Sequence, residues 1–222
     1  MTKMSVSAKT GIGVLVVLVA LMIAILPIWD KDSGGGLAAP VLPSGAEAPV
    51  DTSELAALRA DASLELCPAP SGAAMANPSA GGPFAGLVLE CLADGSPMDL
   101  GAALAGRPAV LNLWAYWCAP CRAELPAMAE FAARAGDAVT VLTVHKDKNQ
   151  DRGLAMLAEL GVQLPGVDDP GAKVAAAASA PNVLPVTVLL RADGTVAKVL
   201  AVPFTNADEI ADAVREYLGV AA

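Results

Sequence analysis

The stretch Trp117-Cys118-Ala119-Pro120-Cys121-Arg122-Ala123-Glu124-Leu125-Pro126 decides how the rest of this 222-residue chain is interpreted. It follows the apolar run AVLNLW of residues 109–114, which places the two cysteines between a strand and the first turn of a helix. The unpaired N–H groups and the dipole of a helix N-terminus stabilise a thiolate, the nucleophilic form of cysteine. We therefore predict Cys118 as an exposed nucleophile and Cys121, one helical turn later, as the thiol that resolves a mixed disulfide.

Two other roles for this cysteine pair have to be weighed. A structural zinc site needs four ligands, and the chain has no second CxxC motif and a single histidine, His145. A purely structural disulfide is the other alternative, but such bonds rarely lie at a strand-to-helix junction beside aromatic residues. The pattern favours a redox-active dithiol, with no bound metal and no cofactor.

A long apolar block lies near the start of the chain. Gly11–Trp29 has no charged residue, and its 19 residues are enough to span a bilayer as a helix. Lys3 and Lys9 precede it, so the positive-inside tendency puts residues 1–10 in the cytoplasm and the rest outside. A cleaved signal peptide is the alternative, but its apolar region is usually only about 7–15 residues long. We predict a single-pass anchor over residues 11–29 in the cell membrane, with an extracytoplasmic catalytic domain.

The chain beyond residue 29 is strongly acidic. It carries 12 basic against 23 acidic residues, a formal charge of −11. Such a domain is repelled by phosphate backbones and by anionic lipid surfaces. Nucleic acid is therefore excluded as an expected partner.

Cys67 and Cys91 bring the cysteine count to four, an even number in an oxidising compartment. If they pair, they close a loop of about 25 residues, which the chain-entropy model values at roughly 3–4 kcal/mol of stabilisation. Two free or partner-linked thiols are the alternative. We predict a structural disulfide between Cys67 and Cys91.

The domain organisation follows from changes in composition. Residues 30–83 are rich in Gly, Pro and Ser and predict a flexible tether that contains one short helix. Over residues 84–222 strands alternate with helices, and the segment ends in an antiparallel hairpin and a helix, which predicts an α/β domain with a mixed sheet. The predicted strands are 86–92, 108–114, 138–144, 186–191 and 195–202, the predicted helices are 98–105, 118–135, 149–160, 173–178 and 206–218, and residues 165–171 are a predicted loop.

The cysteine motif, WCAPC over residues 117–121, together with Leu184-Pro185-Val186-Thr187 further along the chain, resembles a thioredoxin-fold oxidoreductase. The longer pattern LNLWAYWC…CRAELP over residues 111–126 is similar to the TlpA/ResA-like branch of the thioredoxin superfamily. That branch consists of membrane-anchored extracytoplasmic thiol-disulfide oxidoreductases, many of which serve cytochrome c maturation. The resemblance covers residues 84–219 and implies a thioredoxin-like fold with a mixed central sheet flanked by helices, preceded by a transmembrane helix.

The resemblance also implies site residues. Cys118 matches the nucleophile, Cys121 the resolving thiol, and Pro185 the cis-proline that faces the disulfide. A cis peptide bond there would turn the Leu184 backbone toward an extended substrate, and Trp117 would form part of the apolar rim. An ordinary turn proline is the alternative for Pro185, since most X-Pro bonds are trans.

Two departures from the family pattern concern the proton that must leave the resolving thiol. Asn112 stands where thioredoxin has a buried aspartate, and asparagine cannot take that proton. Val186 and Thr187 follow Pro185, where related proteins often carry an acidic residue. Glu124 is then the nearest acid and a candidate proton relay, although a glutamate in a first helical turn is more often a dipole partner.

His145 ends a predicted strand, where a histidine usually has a structural role. The alternative joins it to the cysteines as a copper ligand, as in Sco-like chaperones, which share the thioredoxin fold but use a longer cysteine spacing.

The resemblance implies an enzyme that reduces disulfides in partner proteins such as apocytochrome c. It also implies a membrane electron donor of the thiol-reducing type. A thiol oxidase or isomerase of secreted proteins is one alternative, and a Sco-like copper-binding chaperone is another. Protein thiols and disulfides are the expected substrates of the reductase and also of the oxidase or isomerase.

Overall fold

The computed structural model describes residues 52–70, 72 and 82–221 of the chain. The predicted membrane anchor at residues 11–29 lies outside these residues, as does most of the predicted tether. Within the described residues, every helix is too short or too polar to cross a membrane.

A seven-stranded mixed sheet forms the centre of the molecule. Its strands are β1 Val88–Cys91, β2 Pro97–Asp99, β3 Ala109–Trp114, β4 Thr140–His145, β5 Gly166–Asp168, β6 Val186–Leu190 and β7 Val196–Leu200. They follow one another across the sheet in the order β2-β1-β5-β4-β3-β6-β7. Strands β3, β4 and β5 are parallel to one another, and the remaining neighbours are antiparallel. Strand β3 is buried along its whole length, which explains its nearly continuous apolar sequence.

Helices cover both faces of the sheet. They are α1 Thr52–Ala62, α2 Leu100–Leu104, α3 Ala119–Ala135, α4 Gln150–Leu160, α5 Lys173–Ala177 and α6 Ala207–Leu218. Helices α1, α3, α4 and α6 pack on one face, where Phe131 and Ile210 are buried. Helices α2 and α5 pack on the other face, around Phe84 and Leu100. The predicted α/β architecture with a mixed sheet flanked by helices is therefore confirmed.

Two short strands differ from the prediction. The segment predicted as a helix over residues 98–105 begins instead as strand β2, and its Asp99 carboxylate then caps α2 by accepting the N–H of Ala102 at 3.0 Å. Strand β5 lies inside the predicted loop 165–171. Its Gly166 permits close packing, because a Cβ atom there would come within 2.5 Å of the Thr143 hydroxyl. Strands of three residues are too short to show a periodic pattern in the sequence.

The packed part of the chain begins well before residue 84, where the composition placed the domain boundary. The predicted short helix is present as α1, and its apolar side chains, Leu55, Leu58 and Ala62, belong to the cluster that contains α4. Shortly after α1, Cys67 is joined by a disulfide to Cys91 at the end of β1. The contacts of α1 with the cluster that contains α4 link residues far apart in the chain, so local composition carries no sign of them.

Removing the Cys67–Cys91 disulfide is expected to lower the free energy of unfolding. The bridge spans 24 residues, and a loop of that size corresponds to roughly 3–4 kcal/mol. Urea unfolding of the variant Cys67→Ala/Cys91→Ala, followed by tryptophan fluorescence, measures the loss. The matched control is Cys118→Ala/Cys121→Ala, whose bridge spans only three residues and should cost about 2 kcal/mol in the same model. A loss no larger than that of the control would contradict the prediction.

Candidate active site

Cys118 and Cys121 lie where β3 gives way to α3 and are joined by a disulfide. Cys118 is the N-cap residue of α3, and its Sγ atom accepts the N–H of Cys121 at 3.3 Å. Pro120 suits this first turn, because a helix leaves the N–H groups there unpaired. Cys118 is 5% exposed and Cys121 is fully buried. Only Cys118 therefore reaches solvent, and less of it than the prediction of an exposed nucleophile implies.

Two further loops lie at the same edge of the sheet as the cysteines. Leu113 of β3 pairs with Val186 of β6, so Pro185 lies beside the end of β3. The peptide bond between Leu184 and Pro185 is cis. The end of β7 pairs with the start of β6, which brings the loop 201–206 to this edge as well.

Three large apolar side chains are exposed on these three loops. Trp117, Val183 and Val202 are 60%, 51% and 55% exposed, and we call them the apolar rim. The indole N–H of Trp117 donates to the Asp147 carboxylate at 2.8 Å, which fixes the ring. Exposed apolar side chains gathered at one place are typical of a surface that binds another molecule.

Glu124 lies one helical turn after Cys121, on the face of α3 that is turned toward the sheet, and is fully buried. Its Oε1 atom accepts the N–H of Phe204 at 2.9 Å, and its Oε2 atom accepts the side-chain amide of Asn112 at 2.7 Å. Burial raises the pKa of Glu124, and the two hydrogen bonds oppose that shift only in part. Glu124 lies beyond the first turn of α3, which contains no acidic residue, so the alternative role of a dipole partner in that turn does not fit. A buried carboxyl group with a raised pKa is suited to proton transfer.

The sequence profile of the Redoxin family matches residues 68–215. The chain belongs to the redoxin family. This redoxin is 34% identical over 101 residues to the soluble secreted antigen MPT53 of Mycobacterium tuberculosis, a match that covers 46% of the chain and 57% of that protein. It is 36% identical over 107 residues to the thiol:disulfide interchange protein CycY of Rhizobium leguminosarum bv. viciae, covering 47% and 55% respectively. The redoxin thus spans little more than half the length of these curated relatives.

Solved structures share the fold of this redoxin. A secreted Mycobacterium tuberculosis disulfide oxidoreductase homologous to E. coli DsbE is 29% identical, with a TM-score of 0.51 over 59% of this chain and 95% of that one. A DsbF homologue from Corynebacterium diphtheriae is 26% identical, with a TM-score of 0.52 over 59% and 83% respectively. The predicted thioredoxin-like fold and membership of the thioredoxin superfamily are confirmed.

His145 of the redoxin has contacts that are structural. It is buried, its Nδ1 atom lies 3.0 Å from Oδ1 of Asp168, and its ring centroid lies 4.8 Å from that of Trp114. Its Nε2 atom faces Gly153, where a Cβ atom would come within 2.8 Å. Among the described residues no group of three or more His, Cys, Asp or Glu side chains is arranged to hold a metal ion. These contacts favour the structural role of His145 over the copper alternative.

Two residues at the site of the redoxin, Asp147 and Phe204, belong to no motif of the sequence. Asp147 binds Trp117 from the loop after β4, and the end of a strand parallel to β3 is a place where site residues gather in α/β sheets. The position of Asp147 directly after β4 could therefore have indicated it as a site residue. Phe204 contributes only its backbone N–H to Glu124. Because every residue except proline has such a group, no sequence pattern could have indicated it.

Proposed function

We propose that this redoxin is a thiol-disulfide oxidoreductase that reduces disulfide bonds in partner proteins outside the cytoplasm. The observation that carries the proposal is the Cys118–Cys121 disulfide at the first turn of α3, with the apolar rim on its outer side and the Glu124 carboxyl one helical turn further into the protein. The names of the relatives, a thiol:disulfide interchange protein and a secreted disulfide oxidoreductase, support the same activity.

The reaction starts from the reduced pair. The Cys118 thiolate attacks the substrate disulfide, which forms a bond between Cys118 and one substrate sulfur and releases the other as a thiolate. Cys121 then attacks the Cys118 sulfur, closes the disulfide of the protein and releases the second substrate thiolate. Two electrons pass from the two protein sulfurs to the substrate disulfide. The one thiol proton, that of Cys121, goes to a base, and the two substrate thiolates take up protons from solvent according to their own pKa values.

The two cysteines face opposite electrostatic conditions. In the reduced protein the N–H of Cys121 and the dipole of α3 favour a thiolate at Cys118. The complete burial of Cys121 disfavours a thiolate there, so the resolving step needs a base. Glu124 is the candidate: it follows Cys121 on the same face of α3 and takes the thiol proton as Cys121 attacks.

The apolar rim and the loop before β6 together form the substrate surface. An extended segment that presents a cysteine to Cys118 would place apolar side chains beside Trp117. Its backbone would pair with Leu184, next to Pro185, in the manner of an added strand.

The finer parts of the proposal rest on the apolar run of residues 11–29 with Lys3 and Lys9 before it, and on the similarity of residues 111–126 to the TlpA/ResA-like branch. Residues 11–29 anchor the protein in the cell membrane, with the N-terminus in the cytoplasm and the catalytic domain outside. A membrane electron donor of the thiol-reducing type returns Cys118 and Cys121 to the thiol form. Apocytochrome c is among the substrates, during cytochrome c maturation.

Replacing Cys121 with alanine is expected to trap the substrate on Cys118, because the second thiol is then missing. Tagged full-length Cys121→Ala protein is recovered from cells after acid quenching and alkylation, and the adducts are separated on a non-reducing gel. We expect disulfide-linked partner proteins that dithiothreitol releases. The matched control, Cys118→Ala/Cys121→Ala, should carry none. Recovery of no adduct above that control would contradict the proposed function.

A further inference from the structure

A row of buried polar side chains crosses the sheet beneath α3. Thr143 of β4, Asn112 of β3 and Thr187 of β6 are direct neighbours in register, and all three are fully buried. Side chains of directly paired residues lie on the same face of a sheet. The Glu124 carboxylate bonds to the middle member, Asn112, from the helix above. The row therefore forms the support on which Glu124 is held.

The two threonines beside Asn112 differ in whether their hydroxyl groups have a hydrogen-bond partner. On one side, the Thr143 hydroxyl donates to the carbonyl of Pro165 at 3.4 Å. On the other side, the Thr187 Oγ1 atom is buried and has no hydrogen-bond partner within the described part of the chain, and the same is true of the Asn112 Oδ1 atom beside it. Buried polar atoms in native proteins are nearly always hydrogen-bonded to protein or to ordered water. Two such atoms on facing residues therefore require an explanation.

Asn112 Oδ1 and Thr187 Oγ1 are chemically suited to each other. An amide oxygen only accepts a hydrogen bond, whereas a threonine hydroxyl can donate as well as accept. The Cβ atoms of directly opposed residues on antiparallel strands are about 4.5–5.5 Å apart. A rotation of the Thr187 side chain about its Cα–Cβ bond, or one bridging water, closes that separation.

We propose that Thr187 is a positioning residue of the redox site, whose hydroxyl pairs with the Asn112 amide and thereby controls how that amide holds Glu124. When Glu124 is ionised, Thr187 donates to Asn112 Oδ1 and Asn112 Nδ2 donates to the carboxylate. When Glu124 is protonated, the Asn112 side-chain amide flips. Its Oδ1 atom then accepts the carboxyl proton, and its Nδ2 atom donates to Thr187. The inference deepens the proposed function, on which the catalytic use of Glu124 rests.

The ionised arrangement depends more on Thr187 than the protonated one. Hydrogen bonds to a charged group are about twice as strong as those between neutral groups, and linked hydrogen bonds strengthen one another. The groups that act on the Glu124 carboxyl are the Phe204 and Asn112 amides, and within the described residues no charged side chain contributes to its shifted pKa. Loss of the Thr187 hydroxyl should therefore favour protonated Glu124.

The test measures the pKa of Glu124 in the disulfide form of the protein, in which neither Cys118 nor Cys121 titrates. The carbon-13 shift of the Glu124 carboxyl group is followed against pH. We expect Thr187→Val to raise the Glu124 pKa by roughly 0.5–1 unit, which corresponds to the net free energy of one ordinary hydrogen bond. Thr187→Ser keeps the hydroxyl and should restore the wild-type value. Thr143→Val, on the other flank of Asn112, is the matched control and should leave the pKa unchanged.

A Glu124 pKa that stays constant or falls in Thr187→Val overturns the assignment, as does an equal rise in Thr143→Val. Thr187→Ala, which removes the hydroxyl without adding bulk, replaces the valine variant if that variant does not fold. The readout does not require enzymatic activity. Failure of the Cys121→Ala trap would therefore reject the oxidoreductase proposal and leave the Thr187 assignment standing, while an unshifted pKa would reject only the assignment.

Discussion

Replacing Cys118 with serine is expected to reduce the rate of disulfide reduction by about 10³-fold or more, to the background of the assay. Serine keeps the size of the side chain and can still accept the N–H of Cys121 that Cys118 binds at the start of α3. A hydroxyl group is nevertheless un-ionised near neutral pH, and oxygen cannot form the mixed disulfide. The reduction of insulin by dithiothreitol, catalysed by the purified full-length protein in detergent solution, measures the loss.

The control for this prediction is the variant Cys67→Ala/Cys91→Ala. That disulfide joins the segment after α1 to the end of β1, away from the loops that carry Cys118 and Pro185. The variant should keep its insulin-reducing activity under conditions in which it remains folded, despite its lower stability. Wild-type activity in Cys118→Ser would contradict the assignment of the nucleophile. Loss of activity in the folded control variant would point to a second reactive pair.

The elements that could be predicted are those in which the deciding forces are local. The apolar run 109–114 could be recognised as a buried strand because every position of β3 faces a covered side of the sheet. Helix α3 could be recognised from its position after that strand, and Pro126 lies inside it without ending it. Strands β2 and β5 could not, because three residues in a strand are held by their partners and not by any pattern of their own.

The features of the site divide in the same way, into residues that a sequence motif indicates and contacts that depend on packing. Cys118, Cys121 and Pro185 could be singled out because a motif carries them. Asn112 and Glu124 were also singled out, but for separate reasons, and the sequence gives no indication that they touch. Their hydrogen bond depends on which face of α3 lies on β3, a matter of packing over the whole core. Asn112 does not replace the missing acid of thioredoxin but holds an acid that comes from the helix.

Replacing Glu124 with glutamine is expected to slow the resolving step by about 10²–10⁴-fold, the usual contribution of a general base. The attack of Cys118 should be affected much less, so the mixed disulfide with a model substrate should accumulate. Rapid acid quenching followed by mass spectrometry separates the two steps. In the wild-type protein the resolving rate should rise with pH as Glu124 ionises, because the protonated carboxyl cannot accept the Cys121 proton. Glutamine should remove that rise.

The same substitution should change how stability depends on pH. Burial raises the pKa of Glu124 in the folded protein above its ordinary value of 4.5, so the folded state keeps this proton to a higher pH than the unfolded state. The free energy of unfolding therefore falls as pH rises from about 4.5 through the folded-state pKa and is level above it, as far as Glu124 is concerned. Urea unfolding at a series of pH values should show this fall in the wild-type protein and not in Glu124→Gln.

The matched control for both measurements is Glu130→Gln, because Glu130 is an exposed glutamate on the same helix. It changes the net charge by the same amount and leaves the buried carboxyl in place. Its resolving rate and its stability curve should follow those of the wild type. If Glu124→Gln shows the same fall in stability as the wild type, the titrating group lies elsewhere. If Glu124→Gln resolves the mixed disulfide at the wild-type rate, Cys121 passes its proton to another acceptor, and Glu124 serves only to tie α3 to Asn112 and Phe204.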